Sequence, residues 1–242
     1  LRLRAGEDAE ALPFYERALS IAEKHGFTDI LLPALSGKAT LYTALGRNAE
    51  AGLLLAGVVG RAERDGDAVT VLSARSQLAF VLVDDDPRAA LAVARDGLAL
   101  ARRLGKLSLA LFLGNVVAEV ALRTGDWQDA AAVIEDGLAV EPEGRDRILL
   151  HAHRAVYRAL LGGDAAGDLA ILAGLDHGGD VQMSFYTEGT PAWLSGMAGD
   201  HRATWEVSTR LAAADELNAP YLRERAARAA LWLGNLAKAR EA

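Results

Sequence analysis

The chain has 242 residues, 51% hydrophobic and 24% charged, with a net charge of −7 and no cysteine. That size and apolar content allow a sizeable core, as one elongated array or as two ordinary domains. The lack of cysteine excludes disulfides and thiolate metal sites, and scattered rather than grouped Lys and Arg argue against a surface for nucleic-acid phosphates. The first ten residues, LRLRAGEDAE, are polar and repeat-like, so no signal peptide is expected there. The longest apolar runs, such as 107–113, are too short to span a membrane, so a soluble, cytoplasmic protein is expected.

Taken in order, the chain repeats a turn element. It reads Gly6-Glu-Asp-Ala-Glu-Ala, Gly46-Arg-Asn-Ala-Glu-Ala, Asp85-Asp-Pro-Arg-Ala-Ala and Gly125-Asp-Trp-Gln-Asp-Ala. It returns as Gly163-Asp-Ala-Ala-Gly-Asp, Gly199-Asp-His-Arg-Ala-Thr and Gly234-Asn-Leu-Ala-Lys-Ala. The successive spacings are 40, 39, 40, 38, 36 and 35 residues, a regularity that specifies a repeat. A helix is predicted on each side of every turn. First helices fall near 29–45, 68–83, 107–123, 146–161, 183–198 and 219–233. Second helices fall near 8–25, 48–64, 87–104, 127–140, 165–175 and 201–217. Helix stops separate the units at His25-Gly26, Asp65-Gly66-Asp67, Leu104-Gly105 and Glu141-Pro142-Glu143-Gly144. No strand-like alternation competes.

The clearest unit is 107–142. Ala118 and Ala121 allow close approach on its first helix, while Ala130, Ile134 and Leu138 form an i, i+4, i+8 stripe on its second. GDWQDA makes the turn and Pro142 closes the unit. These residues resemble a tetratricopeptide (TPR) repeat. The resemblance implies an all-α fold: a right-handed superhelix of about six antiparallel helix pairs, forming a single array over 1–242. The spacing exceeds the usual ~34 residues. With segments such as ALSIAEKHGFTDILLPAL, it resembles the helical arrays of MalT-like and LuxR-type bacterial transcriptional regulators. There an ATPase module, a sensor array and a DNA-binding domain share one chain; this sequence would be only the sensor. Its ends fall mid-repeat, so a fragment of a longer protein is expected.

No motif specifies chemistry. His151-Ala-His153 puts two imidazoles on nearly opposite helix faces, one expected on the surface and one in the groove, which does not suit a metal. Asp84-Asp85-Asp86 lacks the pattern of a calcium loop, and Asp86 before Pro87 is expected to cap a helix. Ser36-Gly37-Lys38 lacks the rest of a phosphate-binding loop and falls inside a helix. A non-enzyme without cofactor or metal is expected.

The TPR resemblance implies that first helices line a concave groove. Counting ten residues back from the first residue of each turn after Gly6 gives Ser36, Arg75, Asn115, His153, Gly189 and Glu224. Counting six back gives Thr40, Ala79, Glu119, Tyr157, Trp193 and Arg228. In the least regular unit, Pro191 should bend or break its helix around 187–190, leaving Tyr157, Tyr186 and Trp193 around one opening with His153 and Glu188 in reach. The expected groove is therefore Arg75, Asn115, Glu119, His153, Tyr157, Tyr186, Glu188, Trp193 and Arg228. Its expected partner is a protein, a peptide or a small-molecule effector. The alternative is an assembly scaffold that oligomerises, for instance as a homodimer, and leaves the groove empty.

Overall fold

A computed structural model describes residues 8–176, 178–215 and 218–241, with backbone only for 8–10. The expected turn at Gly6, His177 and residues 216–217 lie outside the described residues. Among the described residues there are fourteen helices and no strand. The chain divides into two compact units, Leu1–Asp129 and Ala130–Ala242, with the boundary inside one helix.

The first unit holds α1 (Asp8–His25), α2 (Thr28–Ala44), α3 (Asn48–Asp65), α4 (Ala68–Leu82), α5 (Pro87–Arg103), α6 (Leu107–Thr124) and the start of α7 (Trp127–Leu138). From α1 to α6 each helix packs on the next, and the alternate helices α2, α4 and α6 also touch in sequence. Links of two to four residues reverse the chain each time. The helix ends are written locally. At Gly66 the backbone is left-handed (φ 74°), and the Asp67 N–H reaches back to the Ala62 carbonyl at 2.9 Å. Glycine takes that conformation without a steric penalty. The next residue starts the following helix: an Asp67 carboxylate oxygen accepts from the Thr70 N–H at 3.1 Å. Asp86 likewise accepts from the Ala89 N–H at 3.0 Å, the cap expected before Pro87.

The core of this unit alternates large and very small side chains. Leu41, Leu55, Leu72, Leu113 and Val117 are buried beside Ala39, Ala51, Ala74, Ala90, Ala94, Ala118 and Ala121, which are wholly inaccessible. Alanines at the contacts let helix axes approach closely. α6 corrects one expectation. Its apolar character runs the whole 18 residues, so by length and composition it is long enough to cross a membrane. Packing explains it: residues 113–118, Val120 and Ala121 are buried, and the helix lies against α5 and α4.

The second unit holds the rest of α7, then α8 (Gly144–Leu160), α9 (Ala166–Gly174), α10 (Val181–Thr187), α11 (Gly189–Met197), α12 (His201–Ala214), α13 (Ala219–Trp232) and α14 (Leu236–Glu241). α8 is its hub, touching α9, α10 and α11; α11, α12, α13 and α14 then pack in sequence. Ile148, Ala152, Leu172 and Met183 make one core cluster, flanked by Leu169, Leu175 and Tyr186. The break expected near Pro191 is present: α10 ends at Thr187, Glu188 intervenes, and α11 begins at Gly189. Pro191 has no N–H to give the Thr187 carbonyl four residues back, so the ladder is interrupted there. The turn before α9 differs by one residue from expectation, with Gly162 rather than Gly163 left-handed (φ 71°).

Gly196 marks a close approach of α11 and α12. A Cβ added there would sit 2.2 Å from Thr204 Oγ1, and that buried hydroxyl donates to the Ala192 carbonyl at 2.7 Å. Gly196→Ala should therefore lose about 1–2 kcal/mol, overpacking outweighing the better helix propensity. Gly57→Ala, on an exposed part of α3 with nothing near its Cβ, should instead gain about 0.5–1 kcal/mol. Urea melts of the two variants should move in opposite directions.

Candidate aromatic and cation row

The expected groove residues fall in both units, and each is described within its own. In the first unit, Arg75 donates to the Glu63 carboxylate of α3 at 2.7 Å. Asn115 is buried rather than groove-lining, and its Nδ2 donates to the Leu111 carbonyl at 3.1 Å. Glu119 lies 4.0 Å from Arg123, which also pairs with Asp84 at 2.9 Å. In the second unit, exposed Arg228 pairs with Glu224 one turn earlier, and Glu188 pairs with Arg210 of α12.

The remaining residues fall on or near one row. The His153 ring (α8) meets the edge of Tyr186 (α10) at 6.2 Å between centroids, and Tyr186 meets Phe185 edge-on at 5.0 Å. The Arg225 guanidinium (α13) lies 4.8 Å from the Phe185 ring centroid and 4.8 Å from that of Trp193 (α11). Half-buried Tyr157 stands four residues beyond His153 on α8, a spacing that puts both on one helix side. Counting back from the turns points to His153, Tyr157 and Trp193, and the break at Pro191 to Tyr186; neither points to Phe185 or Arg225. Arg225 stands one residue from the Glu224 of the aligned column, so a one-residue shift of register on α13 was the available signal.

Electrostatic attraction holds this row together. A guanidinium near the faces of two rings gains cation–π attraction of about 0.5–2 kcal/mol from each, and edge-to-face rings match the ring quadrupoles. The result is a half-buried aromatic strip with a fixed positive centre. Phe185, Tyr186, Trp193 and Arg225 are each half-buried, so part of the strip is open to an incoming group.

The two histidines need a correction. Neither is on the surface or in an open groove: both are buried. The short helices α9 and α10 both land on α8, covering faces that a regular pair would leave open. His151 Nδ1 lies 2.8 Å from an oxygen of Asp168 on α9, and the same carboxylate accepts from Arg154 Nε at 2.9 Å and Arg158 Nη1 at 2.9 Å. Burial alone would raise the Asp168 pKa. Hydrogen bonds from Arg154 and His151 and the charges of Arg154 and Arg158 outweigh it, leaving the carboxyl below its usual range. Sequence reading missed this cluster, although its signals exist: basic residues at 151, 154 and 158 on one face, and a lone charge in apolar AGDLAILAG. His153 is different. Its Nδ1 has no hydrogen-bond partner, and burial pushes its pKa down from 6.5 to about 4. Among the described residues, no group of three or more His, Asp or Glu is placed to hold a metal ion.

No protein-family model matches this chain, and a search of curated proteins finds no match either.

Proposed function

We propose that the chain is a binding module rather than an enzyme, the sensor or regulatory part of a cytoplasmic bacterial transcriptional regulator. In this reading its helix pairs continue into a right-handed TPR-like superhelix. The first-helix side takes a protein segment, a peptide or a small effector, without direct contact to nucleic acid. The supporting observation is the row His153–Tyr186–Phe185–Arg225–Trp193, carried by the first helices α8, α10, α11 and α13. Rigid aromatic side chains around an arginine are the composition of binding hot spots. Peptides selected from a displayed random library against the whole chain test it. They should bind Trp193→Ala with a loss of ~2 kcal/mol or more, while circular dichroism shows the helices retained. Undiminished binding to the double variant Tyr157→Ala, Trp193→Ala would remove this row from the function.

The assembly-scaffold alternative has its own observation. Trp232 is 76% exposed at the end of α13, and Leu231, Leu233 and Leu236 are exposed around it. Light scattering separates the two readings. A dimer that Trp232→Ser dissociates favours assembly; a monomer unaffected by the change favours the sensor.

A further inference from the structure

α10 is a seven-residue helix set between two interruptions: left-handed Gly178 and Gly179 (φ 58° and 75°) before it, and the break at Glu188 after it. A helix that short has little stability of its own. Met183 in the core cluster and Tyr186, edge-on against the His153 ring, hold it on α8. The imidazole beneath is buried, with no partner at Nδ1. Within this unit, the helices touching α8 bring it no free carboxylate. α10 and α11 carry no charged residue, and Asp168 of α9 is taken by His151, Arg154 and Arg158. Asp180 caps α10 by accepting from the Gln182 N–H. Glu188 pairs with Arg210 of α12, and Glu135 of α7 lies beside Arg154. On α8 itself, Asp146 and Tyr157 stand on the His153 side, two turns before it and one turn after.

We propose that α10 is a lid that leaves α8 when His153 takes up a proton, carrying Phe185 and Tyr186 out of the aromatic row. As regulation of that row, the inference rests on the binding-module reading; the opening itself is a property of the chain alone. Protonation puts N–H groups on both ring nitrogens and adds a charge with no counter-ion under the lid. Lifting one short helix hydrates that charge, while the larger helix contacts of the unit stay in place. The covered ring titrates at about 4 and a hydrated one near 6.5, so the opening equilibrium grows about twentyfold from pH 7 to pH 5. The neighbouring carboxyls do not supply that change. Asp168 titrates below its ordinary 3.8. Burial raises the Asp146 pKa, so a proton taken up there favours the covered form.

Amide hydrogen exchange on the whole chain, read as protection factors at pH 7 and pH 5, tests the lid with no ligand present. At pH 7 the amides of residues 184–188 should be protected at least about tenfold less than those of residues 149–155 in α8, because they open without global unfolding. Their protection should fall about twentyfold further at pH 5. In His153→Leu and His153→Gln, neither of which titrates, it should change by less than about threefold over the same range. Equal protection of α10 and α8 in the parent, a comparison that needs no variant, would overturn the inference. So would a pH-independent opening of α10, or the same fall in the parent and in either variant. If α10 opens as expected but no Trp193-dependent peptide is recovered, the binding-module reading falls and the lid stands. Recovered peptides with flat α10 protection leave the reading and remove the lid.

Discussion

Asp168→Ala should cost about 3 kcal/mol of stability, more than any surface substitution in the chain. Its carboxylate is fully enclosed and receives three donors, from His151, Arg154 and Arg158. Deleting one member of a buried charge cluster costs about 3–5 kcal/mol, because the partners keep their desolvation penalty and lose their counter-charge. Two features hold the cost to the low end. Arg158 is 40% exposed and can turn to water, and Glu135 already lies 3.4 Å from Arg154. Asp168→Asn, which keeps an acceptor oxygen but no charge, should lose less. Replacing Asp168, Arg154 and His151 together by Leu, Met and Leu should recover most of the loss, since apolar isosteres of such clusters are often neutral or better. The pH dependence has a definite sign. The folded carboxyl titrates below its unfolded value near 3.8, so its contribution is complete above that value and is lost as pH falls through the folded pKa. Urea melts at pH 7 check the first claim. A loss under about 1 kcal/mol for Asp168→Ala would show that the cluster is relaxed in solution.

The contrast between what the residues announced and what they concealed has a physical basis. Helix ends are local: Gly66 followed by Asp67, or Asp86 followed by Pro87, carries within a few residues both the left-handed stop and the side-chain cap. The interruption at Glu188 was equally readable, since a proline three residues on withholds an N–H wherever it stands. Contacts between elements were not readable. His151 and Asp168 are 17 residues apart, and Phe185 meets an arginine 40 positions later. Periodicity assigns a side chain to a helix face, but only packing decides what covers that face. Asn115 and His153 were assigned to an open groove because a regular repeat exposes those positions. Irregular α9 and α10, both lying on α8, close the second of them. The two compact units likewise follow from packing density, which an even repeat of turns does not encode.

His153 should make the protein lose stability between pH 6.5 and pH 4, a range in which Asp168 remains ionised in the fold. Buried beside Tyr186 with an unpartnered Nδ1, it titrates at about 4 in the fold, against the ordinary 6.5 of an exposed imidazole. Its folded pKa is therefore depressed. Above 6.5 neither state binds the proton and the residue contributes no pH dependence. Between 6.5 and 4 the unfolded chain takes up a proton that the folded chain refuses, so stability falls with decreasing pH. The slope is about 1.4 kcal/mol per pH unit, and the whole window amounts to about 3 kcal/mol. Below 4 the folded state binds the proton too and this contribution levels off. His153→Leu removes the titrating group while keeping an apolar side chain of similar size. Its stability at pH 5 should fall short of its own value at pH 7 by about 2 kcal/mol less than the parent's does. Denaturant melts at the two pH values, with the His153 ring followed by NMR, measure both halves of the prediction. The same pH 7-to-5 loss in parent and variant would mean that water reaches the imidazole, and that α10 does not seal it against α8.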